Sequence, residues 1–313
     1  MSPLSNDKIA VKGADERKVG SFRVKLSNQQ KIFWPDEGYT KGDVIGYYDK
    51  MSAYILPYLK NRPLSLKRNP NGIKDDGFFH KDAGENAPAF VDVFKVKSES
   101  NNKIIDYIVC NNKATLLYLA NLGCIEMNPW NSTIKHPGKP TWMVIDIDPS
   151  SKNSFKEVVE VALATKEVLD KAGIISVCKT SGASGLHVYV PMKNKYEYNT
   201  VKDFAHLVAS LVQELVPATT SLERSLSKRG AKIYIDYLQN RTAQTLATAY
   251  SLRPVPGACV STPLEWKEVN DKLHPSQFNI MNTGKRVAKK GDLFLPVLNS
   301  SVSLSKALKI LNK

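Results

Sequence analysis

The sequence predicts an α+β protein: a ferredoxin-like, RRM-like βαββαβ sheet in its second half, preceded by an N-terminal α+β module. Three observations predict it. Between Trp142 and Leu238, apolar runs of strand length alternate with segments of helical period in the order β-α-β-β-α-β, the split βαβ arrangement. Before Trp130, one capped helical segment and three strand-like runs follow one another without that order. The chain has 313 residues, enough for about two units of domain size and a sizeable core.

The elements follow in chain order. Residues 1–20 are polar and read as a flexible tail. Thr40 stands where a helix N-cap belongs, with Asp43 in the capping-box position. That helix is predicted to reach about Tyr54 and to stop before Pro57. PLSLKR, VDVFKV and IIDYIV are predicted strands, and a helix over about 113–122 leads through Gly123. WMVIDID is an apolar strand stopped by Pro149. Residues 154–171 carry apolar side chains at helical spacing and end at Gly173. IISVCKT and LHVYVP are strands joined by the turn SGASG. Residues 200–215 form an amphipathic helix, 219–229 a polar helical stretch, and KIYIDYL the last strand. The organisation expected is a tail over 1–20, an N-terminal module over 21–130, a catalytic module over 131–298, and a terminal helix or tail over 299–313.

Composition sets the partners. With 42% hydrophobic and 24% charged residues, the chain is neither disordered nor membrane-embedded. Lys plus Arg outnumber Asp plus Glu by 44 to 30, a net charge of +14, which favours a polyanionic partner, nucleic acid above all. Cys110, Cys124, Cys178 and Cys259 form no Cys-x-x-Cys pair and lie in or beside apolar segments, so they read as buried thiols of a reducing compartment. Nothing resembles a signal peptide or a membrane span, and a cytoplasmic protein is expected.

The minority charge carries the chemistry. Asp146 and Asp148 alternate onto one face of their strand, roughly 6.6 Å apart, while Ile145 and Ile147 face the helices. Alone, Asp-x-Asp also suits a solvated face or an Asx turn before Pro149. In the ferredoxin-like order 4-1-3-2, the last strand lies beside the first, and Asp236 shares a face with Tyr234 and Leu238. Three carboxylates would then meet on one patch, a set suited to divalent Mg²⁺ or Mn²⁺ and to two-metal nucleotidyl transfer. His187 lies on the third strand, expected to supply a charge-assisted bond. Ser181 opens SGASG, whose backbone N–H groups are expected to be free for phosphate oxygens. Arg229 and Arg253 flank the patch in sequence. Lys31 and Lys41 bracket the turn before the first helix, and a cation at Lys41, in the first helical turn, points to an anion there. Phe78 and Phe79, in a polar loop, are either a hydrophobic plug or a stacking wedge for bases.

These residues stand in KIFWPDEGYTK, SLKRNPNG followed by FFHKDA, LANLGCIEMNPW, VIDIDP, KTSGASGLHVYVP, IDYLQN and YSLRPVPGACVSTPL. In that order, over roughly residues 22–285, the chain resembles the polymerase domain of bacterial DNA ligase D, in the archaeo-eukaryotic primase superfamily. The resemblance implies the primase-polymerase fold and a polymerase of bacterial non-homologous end joining. Such an enzyme extends DNA 3′-ends and fills gaps, prefers ribonucleotides, uses two Mn²⁺ or Mg²⁺ ions, and holds broken ends with Ku. It implies Asp146, Asp148 and Asp236 as metal ligands, with Ser181, His187 and Arg253 at the incoming nucleoside triphosphate. Asn128 occupies a family histidine position beside that nucleotide. Arg229 fits the basic position ahead of the third aspartate, and Lys67 with Arg68 a basic pair facing the nucleotide pocket. Lys31 and Lys41 fall where the family binds a downstream 5′-phosphate, Phe78 and Phe79 where it stacks on the template, with Arg68 counted among the DNA contacts. Ligase and phosphoesterase domains are implied partners, in cis or in trans, in a nucleoid-associated setting.

The sequence departs from the pattern at four places. Asn128 replaces the family's usual histidine, Ser184 a lysine, and Gln239 and Val255 arginines. Each removes positive charge from the nucleotide's surroundings. The three aspartates are intact. Alternatives to the polymerase are a non-catalytic module for end synapsis and Ku docking, and a primase that starts chains de novo.

Overall fold

The computed structural model describes residues 14–97 and 103–311. The chain opens with β1 (Ala14–Val19) and β2 (Phe22–Ser27), an antiparallel hairpin. The tail expected over 1–20 is therefore shorter: residues 14–19 are strand, and 1–13 lie outside the described residues. β1 reads as polar because only Val19 is buried, while Arg17 reaches across to Asp49 at 2.6 Å. β3 (Ile32–Trp34) and β4 (Tyr39–Thr40) lead into α1 (Lys41–Leu59). The capping box forms as predicted: Asp43 N–H donates to Thr40 Oγ1 (3.2 Å) and Thr40 N–H to the Asp43 carboxylate (2.8 Å). The helix runs past Pro57, where a stop was expected. Pro57 forfeits its own bond to the carbonyl four residues back, and the full burial of Tyr58 and Leu59 beyond it offsets that loss.

Next come β5 (Leu64–Arg68), β6 (Phe78–His80), β7 (Asp92–Lys97), β8 (Ile104–Val109), α2 (Lys113–Asn121) and β9 (Cys124–Pro129). β7 pairs with β8, and β5 lies between β6 and β9. Neither β6 nor β9 is evident in the sequence. β6 is three residues within a polar loop, and β9 is buried at all six positions, so it shows no alternation.

The second half supplies β10 (Trp142–Asp148), α3 (Phe155–Lys171), β11 (Val177–Thr180), β12 (Leu186–Pro191), α4 (Tyr198–Leu215), β13 (Thr220–Ser221), α5 (Leu226–Arg229), β14 (Ile233–Asp236) and β15 (Pro263–Leu264). α6 (Thr283–Lys290), α7 (Pro296–Asn299) and α8 (Leu304–Leu311) follow. The sheet order is β13-β14-β10-β12-β11-β15. Its central four strands carry the predicted 4-1-3-2 order, with a short strand added at each edge. Three expectations are corrected. The strand IISVCKT begins only at Val177; the helical stretch over 219–229 is a two-residue strand followed by one helical turn; and Leu238 is not on the strand face. Asp236 ends β14 by accepting the Leu238 N–H at 2.8 Å, an Asx turn.

Alternation along β10 positions the site. Met143, Ile145 and Ile147 enter a core with residues of α3 and α4. Trp142 and Val144 enter a second core shared with α1, α2, β5 and β9. Asp146 and Asp148 continue this second face, so carboxylates begin where its apolar cover stops. All four cysteines are free and buried; Cys110 and Cys124 belong to the α1/α2 core, and Cys178 to the α3/α4 core. No helix among the described residues is long and apolar enough to cross a membrane.

Candidate active site

The register of β10 sets Asp146 directly opposite Asp236 on one side and His187 on the other, with Asp148 opposite Tyr234. Like charges facing across a ladder are unfavourable. Burial pushes Asp146 up to about 6, against the pull of Lys179 and Arg253. Burial and the Asp146 charge raise both Asp148 and Asp236. Each carboxylate has its own protein partner. Asp146 Oδ1 lies 3.3 Å from His187 Nε2, and Asp148 Oδ2 lies 3.5 Å from Arg229 Nη2. Asp236 Oδ2 accepts the Gln239 amide at 2.8 Å. Among the described residues, no three His, Cys, Asp or Glu side chains are already gathered as a metal cage. The sheet thus puts three carboxylates on one patch while turning them to separate neighbours.

A cavity of about 280 Å³ opens over Asp146 and Asp148, walled by the SGASG turn, His187, Glu126, Asn128, Phe79 and Arg253. The glycines of the turn answer to packing. A Cβ on Gly185 would lie 2.3 Å from the Ile147 carbonyl, and one on Gly182, at φ +77°, 2.7 Å from the Ser261 nitrogen. The turn's N–H groups are not all free, as was expected. Ser181 Oγ accepts from Ala183 N–H (3.1 Å) and Gly185 N–H (3.0 Å), and Ser181 N–H donates to the Gly185 carbonyl. The Ser181 hydroxyl therefore braces the turn.

The charge-assisted bond expected of His187 needs no imidazolium, because an anionic acceptor is enough. Burial, Lys179 and Arg253 hold its pKa well below the ordinary range. Beneath it lies Lys179, fully buried on β11 and unforeseen from the sequence. Its ammonium contacts His187 Nδ1 (2.9 Å), the Ala247 carbonyl (2.9 Å) and Ser261 Oγ (2.6 Å). Burial and Arg253 pull Lys179 down to about 7, against Asp146, Cys178 and Glu126. The available signal was a lysine inside VCKT, a strand buried at every position. Arg253 lines the cavity as expected, yet its Nε donates to Glu126 Oε2 (2.7 Å) and its Nη1 to the Ser181 carbonyl (2.5 Å). Glu126, also unforeseen, sits on the invisible strand β9. Asn128 is buried beside it, and its Nδ2 has no hydrogen-bond partner. Arg229 is buried against Asp148 and stacks 5.1 Å from the Tyr234 ring centroid.

On the strand pair β5–β6, Phe79 and Arg68 line two different cavities, and Lys67 and Phe78 line neither of them. Lys67 pairs with Phe79, and Arg68 with Phe78, and each cation lies 5.2 Å from its partner's ring centroid. Successive strand residues face opposite ways. Phe79 lines the carboxylate cavity, while Arg68 lines a second one of about 270 Å³ with Lys31 and Lys41. Lys67 and Arg68 are therefore not a pair facing one pocket, as was expected. Phe78 and Phe79 are 47% and 61% exposed, which decides against a hydrophobic plug. No acidic residue lines the second cavity. Lys41 is buried, donates to the Ser27 carbonyl at 2.6 Å, and is pulled down to about 8 by burial and by Lys31.

Comparison with known proteins places this geometry. The family described as "LigD, primase-polymerase domain" matches residues 40–294. The chain is 34% identical over 270 residues to the bifunctional non-homologous end joining protein LigD of Bacillus subtilis, covering 86% of this chain and 43% of that protein. It is 28% identical over 278 residues to the multifunctional LigD of Mycolicibacterium smegmatis, covering 88% of this chain and 36% of that one. The chain thus spans less than half the length of these relatives. Among solved structures, the polymerase domain from Mycobacterium tuberculosis Ligase D in complex with DNA superposes with a TM-score of 0.83 at 27% identity, covering 90% of this chain and 99% of that domain.

Proposed function

Because the chain belongs to the LigD primase-polymerase domain family, we propose that it is a DNA-repair polymerase of non-homologous end joining. It would be a nucleotidyltransferase that extends DNA 3′-ends and fills gaps at double-strand breaks. The observation that carries this reading is the facing pair Asp146 and Asp236, with Asp148 on the same strand face and with Asp146 and Asp148 lining a polar cavity.

The carboxylates suit hard divalent ions by donor chemistry, and their upward shifts mark a patch short of positive charge. Asp146, Asp148 and Asp236 would hold Mn²⁺ or Mg²⁺ once each leaves or shares its present partner. When bound, such ions activate a primer 3′-hydroxyl and neutralise the leaving pyrophosphate. The chain's own residues do the rest. Arg253 and His187 offer donors to the incoming nucleoside triphosphate, and the Ser181-braced turn shapes the cavity wall. Asn128 Nδ2 stands as an unspent donor on that wall, available to the incoming nucleotide. In the second cavity Lys31, Lys41 and Arg68 would bind the 5′-phosphate of the downstream strand. Phe79 and Phe78 would stack on template bases between the cavities. Ku, and ligase and phosphoesterase domains in cis or in trans, are the proposed partners.

The test is extension of a gapped duplex with labelled UTP and Mn²⁺. Wild type is expected to add nucleotides and Asp148→Ala is not. Equal traces from both would remove the carboxylate site. One observation favours a second reading, an end-bridging module without catalysis: Arg253 is occupied by Glu126 and Arg229 by Asp148, and neighbouring family cations are replaced at Ser184, Gln239 and Val255. Bridging of DNA ends without any nucleotide addition would establish it.

A further inference from the structure

We propose that Lys179 is a positioning residue that fixes His187 as a neutral imidazole with its ring proton on Nε2, directed at Asp146 and the cavity. Below about pH 7 Lys179 is an ammonium, with three donors and no acceptor. Lys179 Nζ has three neighbours within hydrogen-bond distance. The Ala247 carbonyl can only accept. Ser261 Oγ spends its own proton on the Thr180 carbonyl at 2.9 Å, so toward Lys179 it accepts. The third donor meets His187 Nδ1, which must then be the lone-pair nitrogen. Which nitrogen of a histidine carries the proton is set by the bond the other one makes. The proton therefore lies on Nε2, 3.3 Å from Asp146 Oδ1.

The alternative tautomer fails on both sides of the ring. It would aim an N–H at the ammonium and a lone pair at the Asp146 carboxylate. Lys179 thus lets a histidine serve as an uncharged donor at a site that already holds Arg253. It also ties three segments together: β12 through His187, the loop around Ala247, and the segment entering β15 through Ser261. The kinetic part of this inference rests on the polymerase reading; the tautomer does not.

Two measurements test it. In metal-free protein labelled with ¹⁵N-histidine, long-range ¹H–¹⁵N correlation, assigned by the loss of one ring in His187→Gln, should show His187 protonated at Nε2 and bare at Nδ1. A wild-type His187 ring protonated at Nδ1 overturns the proposal, whether or not Lys179→Met folds. Lys179→Met should lose the pure Nε2–H pattern. Ser261→Ala, which disturbs the same cluster but leaves the ammonium beside Nδ1, should keep it. Retention of the wild-type pattern in Lys179→Met overturns the assignment. In primer extension, Lys179→Met should lower kcat/KM for the nucleotide by roughly 10–100-fold, the usual scale for an orienting partner. In a His187→Ala background the same change should cost little further, and fully additive losses would show that Lys179 does not act through His187. If wild type extends no primer, the polymerase reading falls while the ring-nitrogen result stands.

Discussion

The carboxylate cavity and the basic cavity are reached from opposite faces of the β5–β6 pair, and they carry opposite charge problems. In the first, burial pushes Asp146, Asp148 and Asp236 up, and the Asp146 charge adds to the rise of the other two. In the second, burial and Lys31 push Lys41 down. Each is uncomfortable with its own charge. A third cluster shows what comfort looks like. Burial would raise Glu268, but Arg286 at 2.5 Å and Lys290 at 2.8 Å bring it down to about 2. That cluster is complete within the protein and stabilises the fold around α6. The two cavities are incomplete, and on the proposed function the missing charge would be the ligand's: a cation in one, an anion in the other.

The sharpest way to break this comparison is to disable one cavity and watch the other. Asp146→Asn should abolish nucleotide addition, by about 10³-fold or more, and should leave selectivity for 5′-phosphorylated over 5′-hydroxyl gapped DNA unchanged in a binding assay. Loss of both would mean the cavities are one site. Lys41→Ala should do the converse. Selectivity for the 5′-phosphate should fall about tenfold, and the salt dependence of binding should flatten by about one ion. Extension on 5′-hydroxyl substrates should persist.

Lys41 also fixes a pH signature. It is charged below about 8 in the folded protein and below its ordinary 10.5 in the unfolded chain. Phosphate selectivity should therefore be full at pH 7 and decline as pH rises through 8, whereas Lys41→Ala should be flat. Between 8 and 10.5 the unfolded state binds the extra proton, so the contribution of Lys41 to stability rises with pH. Binding and stability should move in opposite directions over that window, as titration calorimetry and thermal melts would show. The smallest expected effect is at Gln239. Its amide is one of two donors holding Asp236, so Gln239→Leu should cost roughly 1–2 kcal/mol of catalysis, about tenfold in kcat/KM, without touching the basic cavity.

Legibility in the sequence followed exposure pattern. The helices α3 and α4 are periodic because one side of each meets the core, while β10 and β12, buried on both faces, stand out as apolar runs closed by Pro149 and Pro191, so their order and the convergence of Asp146 with Asp236 could be derived. β9 is equally buried, but with Glu126 and Asn128 among its six residues it offers no such run. β6 is too short and too polar around Phe78 and Phe79 to stand out. Lys179 was hidden differently. A lysine in a strand reads as solvent-facing, and only the fold shows three acceptors waiting for its ammonium. For Ser181 and His187 the placement could be read but not the partners that brace them, which lie elsewhere in the sequence or on the backbone.

The buried cysteines give the molecule a built-in record of its own breathing. Burial raises the pKa of Cys110, Cys124 and Cys178, and it is the exposed thiolate that reacts with alkylating reagents. Labelling at these positions therefore requires the surrounding structure to open. Cys110 and Cys124 time the α1/α2 core, and Cys178 times the α3/α4 core. The order in which mass spectrometry finds them modified should show which half loosens first, and whether a nucleotide or a 5′-phosphorylated DNA end stiffens its own side alone.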